Sequence, residues 1–445
     1  MTRIVAIADD LSGAAETAAA LMELSTRATH GEGEAPLIAA RVVLVPDDPA
    51  DAEVEHPGRA FVVLDSDSRR LDAEDASARL DALLRRISER HGSAPFVFLK
   101  VDSLLRGHLS SDLGVLLRRG PLIFAPALPA LGRGTLGGIV HSDGVPLHES
   151  SLWSAEGDAA PPTIAEAIAP LASGLVGLDK VRGDTAALDR VLGVLADQRR
   201  IAICDAETTE DLDIIAAAAL RRGGVQLAGA SALGAALFRA LNAAELLAVR
   251  ELDRIHDGLP EAGPRIDVAA PQVAARQPVL LVVGTASAKS REQVDFLAAS
   301  GVPVVSLTPT ELLKGTADPS VLCAALLAGP AAVAINATEL DPGVSRPLSS
   351  ALANFIAPMA LRVPLVLTGG ETARSVLNAL GITWLEPLAE IQHGAVLSLT
   401  DRNTLVVTRP GTFGGHDSLR TILDRVHSHL AAGTVQPEMP RKAHS

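Results

Sequence analysis

Tyrosine is absent from this chain of 445 residues, and aromatic residues together make up only 2% of it. Proteins that grip single-stranded nucleic acid stack bases on aromatic rings, so that class of function lacks its main instrument here. Bulk charge argues the same way, because a net charge of −14 repels nucleic acid and anionic membrane surfaces. Cysteine is scarce too. Cys204 and Cys323 are too few for a disulfide framework or a cysteine-based zinc site. No apolar run approaches the roughly 20 residues that cross a bilayer. The opening MTRIVAIADD reaches two aspartates before a signal-peptide core could be complete. A soluble cytoplasmic protein is expected, with neither nucleic acid nor membrane as partner and with a homo-oligomer left open. Only five lysines stand among 39 basic residues, so arginine is the ordinary cation of this chain, and an anionic ligand must be held by local positive charge.

Hydrophobic residues, at 48%, are ample for buried sheets, and the length exceeds what one core supports. Short apolar runs rich in β-branched residues recur at 3–10, 41–45, 61–68, 96–103 and 122–127. They read as strands of a parallel sheet buried on both faces, with Ala- and Leu-rich helical stretches such as 13–24 and 73–91 between them. Residues 132–150 are glycine-rich and then alternate, which predicts a loop and a projecting hairpin. Further strands are expected at 201–205 and 225–228. Residues 250–277 lose this rhythm and gain proline, glycine and charge. From Pro278 it restarts through VLLVVG, VPVVSL, AAVAIN, VPLVLTGG and TLVVTRPG. The prediction is therefore α/β, with two largely parallel domains at 1–249 and 278–432, a linker at 250–277 and a disordered tail at 433–445.

In open α/β sheets ligands gather at the carboxyl ends of strands. Asp9 and Asp10 end the first run, where they can accept a hydroxyl proton, hold a metal, or simply cap the following helix. LDSDSRR offers Asp65, Ser66, Asp67 and Arg69 to a polyhydroxylated ligand, although turn chemistry also favours Asp and Ser. LKVDSLLRGH places Lys100, Asp102, Ser103, Arg106 and His108 within nine residues. That set suits a clamp on a carboxylate, with a surface ion-pair cluster as the rival account. Arg133 is a further anion ligand, whereas His141 and His148 read as loop histidines.

The second half nearly spells a phosphate-binding loop at LLVVGTASAKS. The spelling fails, because Gly284 to Lys289 is one residue short and Ala288 replaces the second glycine. GTASAKS is nevertheless one of three small-residue turns that leave strands, the others being LTGGETA and TRPGTFGGHD. Each supplies backbone donors at a helix start, and together they suggest a phosphate cradle distributed over three turns. No strand is followed by a proper G-x-G-x-x-G, which sets a nicotinamide dehydrogenase aside.

With these motifs in order, the chain resembles the four-carbon acid sugar kinases, the ATP-dependent kinases of threonate, erythronate and their 3-oxo relatives. ADDLSGA (8–14), Asp65 to Arg69, Lys100 to Gly107, and APALPALGR (125–133) followed by GGIVHSDGVPL match the family's N-terminal patterns, and the likeness covers most of the chain. It implies an N-terminal acid-sugar-binding domain and a C-terminal nucleotide-binding domain. The nucleotide motifs fall on Gly284, Thr285 and Ser287, on Gly369, Gly370, Glu371 and Thr372, and on Gly411, Phe413 and Gly414. Thr285 replaces the usual serine, Arg409 a common lysine and His108 a common asparagine, and GASALGAAL departs from the usual G-S-x-G-L. The resemblance further implies transfer of the ATP γ-phosphoryl group, with Mg²⁺ bridging phosphates, to the terminal hydroxyl of the acid sugar. Arg106 and Lys100 would hold the carboxylate, Asp65, Asp102 and Arg69 would orient hydroxyls, and Asp10, or failing that Asp9, would take the proton. Metal ligands are not legible. A kinase of another branched or oxidised sugar acid, and a non-catalytic sensor that binds nucleotide, remain as alternatives.

Overall fold

The structure, a computed structural model, describes residues 4–28, 40–54, 61–91, 96–153, 159–253, 277–284, 287–336, 344–361, 363–411 and 413–431. The chain divides into two compact units, Met1–Gly263 and Pro264–Ser445. That division falls inside the expected linker, most of which lies outside the described residues, and the helix Ser231–Asp253 runs past position 249. The expected tail at 433–445 also lies outside them.

In the first unit the strands are β1 (Ile4–Ala8), β2 (Ala40–Leu44), β3 (Phe61–Asp65), β4 (Phe96–Lys100), β5 (Leu122–Ala125), β6 (Arg133–Leu136), β7 (Ile139–Ser142), β8 (Val145–Pro146), β9 (Ser173–Val176), β10 (Ile201–Cys204) and β11 (Gln226–Gly229). Eight of them form a parallel sheet in the order β2-β3-β1-β4-β11-β5-β10-β9. Every residue of β1, β2 and β3 is buried, as continuous apolar runs covered by helices on both faces require. The chain leaves β1 to build β2 and β3 on one side and returns to place β4 on the other. A crevice therefore opens where strand order reverses, at the carboxyl ends of β3, β1 and β4. The predicted hairpin exists as β6–β7, turning on Gly137 and Gly138 with φ of 64° and 73°, and β8 extends it. The left-handed backbone at both turn positions is what a two-residue hairpin with the right-handed strand twist demands. The edge strand β9, SGLV, is mostly half-buried or exposed and has no apolar run to mark it in the sequence.

The second unit holds β12 (Leu280–Val283), β13 (Val304–Leu307), β14 (Ala331–Ile335), β15 (Leu365–Thr368), β16 (Trp384–Gln392), β17 (Ala395–Thr400) and β18 (Leu405–Arg409). The order β13-β14-β12-β15-β18 is parallel, β17 pairs antiparallel with β18, and β16 pairs antiparallel with β17. The five parallel strands are those expected from the apolar runs. The strand β16 escapes that pattern because it mixes buried and exposed positions and carries Pro387, while β17 is mostly buried but interrupted by Ser398. An aliphatic core, built from residues such as Leu281, Val283, Val366, Val407, Leu419 and Ile422, packs the helices Ala288–Ala299 and Ser418–Ala431 against one face. Among the described residues, no helix is long and apolar enough to cross a membrane.

Candidate functional site

At the reversal point of the first sheet, opposite charges meet. Arg69 donates from Nε and Nη2 to the two carboxylate oxygens of Asp9 at 2.7 and 2.8 Å, and from Nη1 to Asp10 at 2.8 Å. Burial works against a charged Arg69, yet Asp10 and Asp9 outweigh it and hold the guanidinium well above its ordinary range. The second oxygen of Asp10 accepts the Gly13 N–H at 2.9 Å, so Asp10 also caps the helix Leu11–Ala28. Capping and ion pairing, the rivals of catalysis at this position, are thus both present.

Lys100, at the end of β4, is 5% exposed, and its charge is among those acting on Asp102. Its ammonium lies against Gly13, where an added Cβ would stand 2.6 Å from Nζ and 2.8 Å from the capping oxygen of Asp10. A larger residue at Gly13 would push the lysine and aspartate tips aside. Asp102 takes a fork from Arg106, at 2.5 Å from Nε and 3.0 Å from Nη2. Burial pulls the Asp102 carboxyl upward, but Arg106, Arg69 and Lys100 win and hold it well below the usual carboxylate range. Arg133, at the start of β6, donates to Ser103 Oγ at 2.7 Å, and its buried Nε has no acceptor among the described residues. Burial lowers its pKa, so an anion placed there would be welcome. Asp65 is fully buried under its own turn, where it accepts the Asp67 N–H at 3.1 Å.

Three further acidic residues join the first unit's polar network. Asp205 follows β10 and accepts the N–H groups of Gly137 and Gly138 at 2.7 and 3.0 Å, stapling the hairpin that carries Arg133. Glu16 accepts from Ser231 at 2.7 Å and lends negative charge to Arg133. Asp112, in the first turn of the helix Leu109–Arg119, is buried, with one carboxylate oxygen unpartnered among the described residues. Asp205 ends the apolar run IAIC and so carries the strand-tip signal, whereas Glu16 and Asp112 lie inside helices and carry none.

In the second unit the three glycine turns converge. Gly284, after β12, packs so tightly on Thr372 that a Cβ there would overlap the threonine hydroxyl. Ser290 donates to the Gly411 carbonyl at 2.9 Å, and Gly369 donates to the Arg409 carbonyl at 2.9 Å. Turns separated by up to 121 residues therefore form one surface. Ser287 caps the helix Ala288–Ala299 by accepting the Ser290 N–H at 3.1 Å. Gly370 and Glu371 open the helix Gly370–Ala379, with Glu371 accepting from Ser345 at 2.8 Å. Phe413 stacks on His393 with centroids 6.3 Å apart, next to Gly414. Thr285 lies outside the described residues.

Comparison with known proteins matches residues 4–237 to the sugar-binding N-terminal domain and residues 280–419 to the nucleotide-binding C-terminal domain of one family. A D-threonate kinase of Cupriavidus necator is 32% identical over 93% of this chain and 95% of the relative. The chain belongs to the four-carbon acid sugar kinase family. Other members include a D-erythronate kinase of Heliobacterium modesticaldum, 24% identical over 98% of this chain and all of the relative. A 3-oxo-tetronate kinase of Cupriavidus necator is 26% identical over 95% and 97%. Family membership makes the protein a kinase, a phosphotransferase acting on sugar acids, with a nucleotide-binding C-terminal domain. A crystal structure from Salmonella typhimurium LT2 agrees in fold with a TM-score of 0.68 at 20% identity, over 95% of this chain and 98% of that one. Haemophilus influenzae protein HI1011 gives 0.61, also at 20% identity, over 94% and 98%.

Proposed function

We propose that this member phosphorylates the terminal, C4, hydroxyl of a four-carbon acid sugar with ATP, and that D-threonate, erythronate and 3-oxo-tetronate are the substrates to try first. The observation that carries the reading is the convergence of the Gly284, Gly369 and Gly411 turns, in a domain of the nucleotide-binding family, on one surface of small residues. Such a surface offers backbone donors to phosphate oxygens without a Walker loop.

In this reading Gly284, Thr285, Ser287, Gly369, Gly370, Glu371, Thr372, Gly411, Phe413 and Gly414 bind ATP. Lys100, Arg106 and Arg133 receive the substrate carboxylate, while Arg69, Asp102 and Ser103 orient its hydroxyls; Asp65, expected among them, is fully buried and shapes its own turn instead. Asp10 takes the proton from the attacking hydroxyl, and Asp9 holds Arg69 in place. Phosphoryl transfer asks mostly for positioning and charge neutralisation, which this collection of cations and backbone donors supplies.

Among the described residues there is no cluster of three or more His, Cys, Asp or Glu side chains fit to hold a metal alone. That suits Mg²⁺ carried by nucleotide phosphates, which needs only one or two protein carboxylates. Glu371, in the second turn, is the carboxylate we assign to it, and bound Mg²⁺ supplies neutralisation of phosphate charge.

The test is ADP release, coupled to an optical readout, across a panel of four-carbon and branched or oxidised sugar acids. Turnover is expected with at least one four-carbon acid and weaker turnover with longer or branched ones. Acid-sugar binding without ADP release from any member of the panel would overturn the kinase assignment of this chain in favour of a sensor.

A further inference from the structure

Arg409 ends β18 and is 1% exposed, yet no carboxylate pairs with it among the described residues. Its partners are all neutral. Nη1 donates to Ser418 Oγ at 3.2 Å, Nη2 to Gln293 Oε1 at 3.1 Å and to the Phe413 carbonyl, and Nε to the Pro410 carbonyl at 3.3 Å. Burial alone pushes its pKa down, to about 10, so the group stays charged at neutral pH. A buried, uncompensated guanidinium is costly, and chains keep one only where an opposite charge arrives.

The same partners orient the turn above it. Gln293, also 1% exposed, donates from Nε2 to the carbonyls of Phe413 and Gly415, both at 2.9 Å, and lies 3.4 Å from that of Gly414. Ser290 holds the Gly411 carbonyl. A trans peptide sets each carbonyl opposite the N–H of the next residue. The carbonyls of Pro410, Phe413, Gly414 and Gly415, drawn inward by Arg409 and Gln293, therefore turn the N–H groups of Gly411, Gly414, Gly415 and His416 the opposite way. None of those four amides has an acceptor among the described residues. Successive unclaimed amides beside a buried cation are what an anion-binding nest is built from.

We propose that Arg409, backed by Gln293, is a positioning residue of the phosphate site: it keeps this turn carbonyl-inward and amide-outward, and the nucleotide's phosphate chain is the anion that balances its charge. The proposal rests on the nucleotide reading above and adds to it a specific source of phosphate selectivity. A merely structural arginine would support adenosine and ATP alike. A charge-bearing one favours ATP.

The experiment displaces a fluorescent ADP analogue from the full chain with ATP and, separately, with adenosine. Arg409→Gln is expected to cut the preference for ATP over adenosine by about tenfold or more, with adenosine affinity within about threefold of the parent. Arg409→Lys, which keeps charge but not the fork, recovers part of that preference. Gln293→Glu is the second variant. It is isosteric, gives the guanidinium a carboxylate, and should lower the preference even if Arg409→Gln does not fold. Equal weakening of ATP and adenosine, or an unchanged preference in the folded variants, overturns the role of Arg409 while leaving the nucleotide site standing. Failure of the parent protein to bind ATP at all would overturn both.

Discussion

Arg69 holds Asp9 by both carboxylate oxygens, at 2.7 and 2.8 Å, and reaches Asp10 with only one nitrogen. The two adjacent aspartates are therefore not equivalent. Asp9 is committed to a fork, a geometry that makes a strong charge-assisted pair and a poor proton acceptor. Asp10 spends one oxygen on Arg69 and the other on the Gly13 N–H, beside the Lys100 ammonium.

Substituting each should separate the roles. Asparagine caps a helix about as well as aspartate, so the stability that Asp10→Asn loses is that of its single charged bond to Arg69, about 1–2 kcal/mol. Its kcat should fall by about 10²-fold or more if Asp10 takes the hydroxyl proton. Asp9→Asn removes half of a partly buried ion pair and leaves Arg69 underpaired, which should cost about 1–3 kcal/mol in urea denaturation. Turnover of Asp10→Asn within about tenfold of the parent would strip it of the proton-acceptor role.

Gly284 and Thr372 make a second asymmetric contact. A Cβ on Gly284 would overlap the Thr372 hydroxyl and stand 2.7 Å from the threonine Cβ, while Thr372 itself is 4% exposed and cannot swing out. Gly284→Ala should therefore force the first two turns apart, at a cost of about 1–3 kcal/mol. The expected readout is a rise in the KM for ATP of about tenfold, with the KM for the acid sugar changed far less. An alanine variant with parental ATP kinetics would mean that the two turns need not touch to bind nucleotide.

How far each feature is legible in the sequence depends on how it is encoded. β1, β3 and β4 are legible because a strand buried on both faces must be a continuous apolar run, and their tips carry Asp9, Arg69, Lys100 and Arg106 in fixed order. β16 is not legible by that rule, since its half-exposed positions and Pro387 break the apolar run. β17, AVLSLT, is buried along most of its length and differs from the parallel strands in the interior Ser398 and in the short Gly394 turn that precedes it. The glycine turns are recognisable one by one, but their meeting is not. It depends on bonds such as Ser290 to Gly411 that link residues 121 positions apart. Gln293 shows the same limit, being a polar residue in a helix whose neighbours give no hint that it is buried beneath a distant turn. For Asp102 and Arg106 the sequence allows both a substrate clamp and an ion pair, and the pair is present because four residues of separation let the fork close locally.

Asp112 supplies a prediction about pH. Burial pushes its carboxyl up to about 7, the negative charge of Asp9 adds to the effect, and one oxygen has no partner among the described residues. An unfolded aspartate titrates near pH ~4. Because the folded pKa is raised, the folded state binds the proton more tightly than the unfolded chain. The associated stability is fully present below about pH 4 and is lost as pH rises through about 7. Asp112→Asn keeps the shape and removes the titration, so the variant should gain on the parent as pH rises. Urea denaturation at about pH 5 and pH 8 should show the gap moving by about 2–3 kcal/mol in favour of asparagine. A constant difference across that range would mean that Asp112 is ionised in the folded protein at pH 5, and that its buried oxygen finds a donor in solution.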